Sequence, residues 1–174
     1  MYPYNRKTQI YNTPIRAKEA SAKEKQEASL SSDRRLQELL SLSQQETHQI
    51  AKKYEALMAE PALDEAKDIL KTMYLDTLKH LRRLQEVIFM IFSDNGTSSP
   101  PELSEPEITS DGKNLLEELL LTEMDDMNFY RNLFFAMPEG ELRDAFFEIL
   151  TDKQNHCNGL NYLYAKYFTE TTGN

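Results

Sequence analysis

The sequence predicts an all-α protein, a four-helix bundle assembled from two repeat-related helical hairpins, and three observations carry that prediction. Only five glycines and no tryptophan stand against an abundance of Leu, Glu, Lys, Ala and Gln, side chains that lose little rotamer freedom in a helix. Four segments carry apolar residues at helical spacing. Sliding the chain along itself by 76 residues, without a gap, places Tyr54 on Tyr130, Leu57 on Leu133, Asp76 on Asp152, His80 on His156 and Leu84 on Leu160.

Residues 1–31 read as an arm and a polar linker, and residues 32–174 as the bundle. The first 17 residues hold Pro3, Pro14 and scattered tyrosines with no helical period, the pattern of an extended arm. From Ala17 to Leu30 the chain is polar and lacks an apolar stripe, which suits a solvated helix or a linker. Ser32 or Asp33 offers the cap of a first helix with Leu36, Leu40, Ser43, Thr47, Ile50, Tyr54 and Leu57 on one face. Glu60 and Pro61 end it, and Pro61 is tolerated in the first turn of a second helix. That helix presents Leu63, Ala66, Leu70, Met73, Thr77, His80, Leu84, Val87 and Ile91.

Residues 93–110, with Gly96, Pro100, Pro101 and Pro106, form a connection of about 18 residues. A tight helix–helix turn is shorter, so this length predicts a long crossover between the second and third helices. Asp111 caps a third helix with the stripe Leu116, Leu119, Glu123, Met127, Tyr130 and Phe134. Pro138, with Glu139 and Glu141 where the helix dipole favours anions, opens a fourth. Its face reads Leu142, Phe146, Ile149, Lys153, His156, Leu160, Leu163 and Tyr167.

A chain of 174 residues suits one domain with a real core. Its formal charge of −9 argues against a module that grips nucleic-acid phosphates. Residues 1–18 carry Arg6, Lys7, Arg16 and Lys18 and no acid, so a +4 arm precedes a −13 body. No run of about 20 apolar residues offers a bilayer span. The lone Cys157 cannot form an internal disulfide and nothing at the N-terminus has the apolar core of a signal peptide, so a cytoplasmic, reducing setting is expected. Phosphate-loop, zinc-finger and Ser-His-Asp patterns are not recognisable. His48 lies off the apolar stripe and reads as a surface histidine. Cys157, in a helix interior, lacks the setting that activates a thiol.

The polar interruptions of the four stripes fall at repeat-related positions: Thr47 with Glu123, Thr77 with Lys153, His80 with His156. A buried polar group without a partner costs about 1–3 kcal/mol, so these six are expected to meet in one mid-bundle layer.

At these residues the chain resembles the ferritin-like superfamily, and within it the short rubrerythrin-like proteins, over roughly residues 33–170. In that family the first and third helices each supply a Glu seven residues before an aromatic, and the second and fourth each supply Glu-x-x-His, which together hold paired iron or manganese. Glu123 with Tyr130, His80 and His156 match that pattern. Thr47, Thr77 and Lys153 stand where carboxylates belong, so three of six implied ligands, both bridging carboxylates among them, are absent. Glu46, Asp76 and Asp152, each one residue along, would need the helices to rotate by about 100° to compensate. The departure implies that the Lys153 ammonium takes part of the vacated metal position and pairs with Glu123.

The expectation is thus a ferritin-like bundle with an incomplete dinuclear site and no cofactor, non-catalytic, serving structural or protein-interaction roles. Its arm would dock on an acidic surface such as that of a neighbouring copy, and aromatics of the last helix would form a homodimer surface. The alternative is an iron or manganese redox protein using His80, Glu123 and His156. A weaker one is attachment through the arm to an acidic membrane or envelope layer.

Overall fold

The structure, a computed structural model, describes residues 22–92 and 103–169. Expectations for the arm, and for the first part of the crossover, lie outside the described residues. Within them the chain is all-helical, with α1 at Ala22–Ala59, α2 at Lys67–Phe92, α3 at Gly112–Ala136 and α4 at Glu141–Phe168.

Helix α1 starts before the expected caps at Ser32 and Asp33, and no helix end falls at residue 31. The upstream run of Ala, Lys, Glu and Gln propagates a helix well, and this propensity outweighs the capping preference of two residues. At the other end Pro61 opens a 3-10 segment, Pro61–Ala66, kinked at Leu63, before α2 begins at Lys67. Leu63 leaves helical geometry there and is buried with Ala66, closing the turn over the core.

Asp111 caps α3 as expected: its Oδ1 accepts from the Asn114 amide at 2.9 Å. Gly112 follows because α3 starts hard against the turn after α1, where an added Cβ would lie 2.6 Å from Glu60 Cγ. Pro138 does not open α4, which begins at Glu141. Gly140, at φ 137°, turns the chain into the helix through a conformation other residues rarely adopt. Glu141 and Asp144 then occupy the first turn, where the dipole favours them.

The hairpins α1–α2 and α3–α4 pack most extensively, α2–α4 and α1–α3 join them, and α2 and α3 occupy opposite corners. Two apolar clusters fill the interior. One gathers Leu40, Leu84, Phe92, Tyr130, Leu133 and Phe146, and the other Ile50, Leu57, Leu70, Leu116, Leu160 and Leu163. The C-terminal halves of α2 and α3 thus lie together with the N-terminal half of α4, so α2 and α3 run in the same direction. Each helix passes from one cluster to the other through one short interval, at 43–47, 76–80, 123–126 and 152–156, and there its inner face is polar.

Candidate functional site

Burying a charged group away from water is costly unless it is paired and hydrogen-bonded, so the interval between the clusters sets the chemistry of the interior. Lys153 is fully buried, with its Nζ 2.8 Å from Glu123 Oε2 and 3.1 Å from Asp126 Oδ2. Glu123 and Asp126 share a face of α3 because residues three apart do so on a helix. The second Glu123 oxygen accepts from the Tyr54 hydroxyl at 2.9 Å and from His156 Nδ1 at 3.2 Å. One carboxylate therefore ties together α1, α3 and α4.

The imidazoles link the hairpins a second way. His80 Nε2 donates to Asp152 Oδ2 at 3.0 Å, and His156 Nε2 faces Asp76 Oδ2 at 3.5 Å. The two rings lie 5.9 Å apart, and Tyr54 meets His156 edge-on. Lys79 closes the outside of this seam, 2.7 Å from Asp152 and 3.4 Å from both Asp76 and Glu148.

Electrostatics follow from these placements. Burial by itself would push the Glu123 carboxyl up, but the Lys153 ammonium and the His156 bond hold it down at about 2. Burial likewise opposes the charge of Lys153, and Glu123 with Asp126 outweighs it, raising its pKa above the usual lysine value. The His80 bond, with Lys79, lowers Asp152 to about 2 against the opposing effect of burial. Burial dominates at His80 and lowers its pKa, so the ring favours its neutral form despite Asp152. Tyr54 is raised well above its ordinary value by burial and by the Glu123 charge.

Of the six residues expected to meet, the structure brings Glu123, Lys153 and His156 into contact and sets His80 beside His156. Thr47 and Thr77 are buried in the same interval but do not join them. Their hydroxyls donate to carbonyls of their own helices, Ser43 at 2.7 Å and Met73 at 2.8 Å, the local alternative open to a threonine in a helix. Asp76 and Asp152 sit at the α2–α4 seam and reach the opposite imidazoles across it. Tyr54 and Asp126 were not singled out as members. The offset matching Tyr54 to Tyr130 and the three-residue spacing from Glu123 to Asp126 were the available signals. His48 is half-buried, 3.4 Å from Glu105, and Cys157 is buried with its thiol pushed up to about 11, burial being the main cause.

These residues do not fit a dinuclear metal group. Hard divalent cations require anionic oxygen donors, and here an ammonium already lies between the two carboxylates of α3. Among the described residues no group of three or more His, Cys, Asp or Glu side chains is arranged to hold a metal ion. Also among them, no helix is long and apolar enough to cross a membrane. Comparison with known proteins finds no match to any family model, curated protein or solved structure.

Proposed function

We propose that the chain is a ferritin-like four-helix bundle that has exchanged its metal pair for a side-chain cation, and that it works as a non-catalytic structural or interaction protein. The observation that carries this reading is the buried Lys153 ammonium, 2.8 Å from Glu123 and 3.1 Å from Asp126. It supplies within one chain the positive charge that a carboxylate-lined interior otherwise takes from metal.

The long crossover belongs to the same proposal. Phe92, at the end of α2, packs in one cluster, and Leu115, near the start of α3, packs in the other. A connection from one end of the helices to the other accounts for both. Gln45 donating to Ser104, the approach of Glu105 to His48 and Lys52, and Ile108 against the second cluster support a path alongside α1.

The test is elemental analysis of protein purified from iron- and manganese-supplemented culture, with an assay for dioxygen-dependent iron oxidation. The proposal expects far less than one metal per chain and no oxidation. Near-stoichiometric metal that disappears in His156→Ala would instead establish a rubrerythrin-like redox protein using His80, Glu123 and His156.

A further inference from the structure

Two exposed apolar stripes with identical spacing lie on opposite corners of the molecule. On α2 the stripe is Leu75, Leu78 and Phe89, and on α3 it is Leu121, Met124 and Phe135, each running three and then eleven residues onward. On a helix these offsets keep all three side chains within about 60° of one another. The phenylalanines are 66% and 73% exposed, more apolar surface than a side chain buried in the core leaves to water, although Phe135 also meets Phe134 edge-on at 5.2 Å.

The position four residues before each stripe also matches. It holds Lys71 on α2 and Glu117 on α3, both exposed, and neither makes an ion pair among the described residues. The stripes are related by an offset of 46 residues. The same offset carries Thr77 onto Glu123, both buried in the polar interval, and Leu84 onto Tyr130 and Val87 onto Leu133, all four in one apolar cluster. The two faces therefore lie at one level, and their helices run in the same direction.

We propose that the α2 face of one molecule docks on the α3 face of a second copy, parallel and in register, so that the chain assembles head to tail. A sideways displacement with no axial shift sets Leu75 on Leu121, Leu78 on Met124 and Phe89 on Phe135, with Lys71 against Glu117. Two-fold pairing of α2 with itself would oppose Arg82 to Arg82, the midpoint of its stripe. The unlike pairing matches charge, Lys71 with Glu117, as well as shape. Because the two faces differ, the contact does not use itself up in a dimer, and it continues as a row unless rotation closes it into a ring. The proposal names the partner for an interaction protein but needs nothing from the interior, and metal content and sedimentation fail independently.

Sedimentation velocity on the full-length chain and on Phe89→Asp and Phe135→Asp tests it, both sites being exposed enough that the fold should survive, with helical content read by circular dichroism. The wild type should form species larger than a dimer as concentration rises. Each variant should lose self-association by about tenfold or more. An equimolar mixture of the two should form a one-to-one dimer through the intact faces, and no larger species. The charge-exchange variant carrying both Lys71→Glu and Glu117→Lys should associate better than either single change. A wild type that stays monomeric, a stable dimer abolished by only one of the Asp variants, or a mixture that stays monomeric would each overturn the proposal.

Discussion

His80 on α2 donates to Asp152 on α4 at 3.0 Å, and with each partner exchanged for its counterpart at an offset of 76 residues, His156 on α4 faces Asp76 on α2 at 3.5 Å. Each hairpin thus lends an imidazole to the other's carboxylate across one seam. Beneath that crossed arrangement Lys153 pairs with both Glu123 and Asp126, and the balance of these charges governs the measurable behaviour of the fold.

Removing Lys153 should be harsher than removing its nearest partner. Lys153→Met leaves two buried carboxylates without their cation and should cost about 3–5 kcal/mol. Glu123→Ala leaves Lys153 its 3.1 Å partner Asp126 and should cost less. The double variant should be more stable than the sum of the single losses predicts, by more than the roughly 0.5 kcal/mol of ordinary additivity error. Urea denaturation of the four proteins checks the cycle, and additive losses would show that the groups do not act together.

Acid should weaken the protein in two stages. Glu123 and Asp152 are held at about 2, below their ordinary values of 4.5 and 3.8. In that window the unfolded chain binds more protons than the folded one, so their stabilisation is present above about pH 5 and is lost as pH falls towards 2. Glu123 alone contributes on the order of 3 kcal/mol to this loss. His80 has a folded pKa below 6.5, so its share begins to disappear as pH drops through that value. The urea midpoint should therefore decline gently from about pH 6.5 and steeply below 5. A flat profile between pH 7 and 4 would contradict the placement of these groups.

Tyr54→Phe deletes only the hydroxyl that donates to Glu123. A hydrogen bond to a charged acceptor is worth about 1.5–3 kcal/mol, and the variant should lose stability in that range. In the wild type, ultraviolet titration should show at least one tyrosine, missing from Tyr54→Phe, that ionises only when alkali unfolds the chain. An equal number of resistant tyrosines in the wild type and in Tyr54→Phe would place Tyr54 in solvent.

The buried Cys157 thiol, raised to about 11, should react with a disulfide reagent at pH 8 far more slowly than a free thiol. Denaturant should restore the ordinary rate. Rapid reaction of the native protein would mean that α4 opens locally.

The sequence by itself determined the all-α class, the positions of four apolar stripes, the Asp111 cap, the buried polar positions and the pairing of Lys153 with Glu123. All of these except the last are local: periodicity places side chains on one face of a helix, and an aspartate before a helix binds its first amides wherever the helix packs. The pairing was legible because a lone buried lysine must find a carboxylate. Helix starts were less legible, since neither the upstream propensity that extends α1 to Ala22 nor the glycine turn that moves α4 to Glu141 breaks the apolar pattern. Only the tertiary structure decided that Asp126 shares the lysine, that Tyr54 joins Glu123, that Thr47 and Thr77 turn to their own backbones, and that Asp76 and Asp152 reach the opposite imidazoles. Those choices depend on how far each helix is rotated and which helix lies beside it. A carboxylate off the apolar stripe faces solvent on an isolated helix and faces a partner only at a seam.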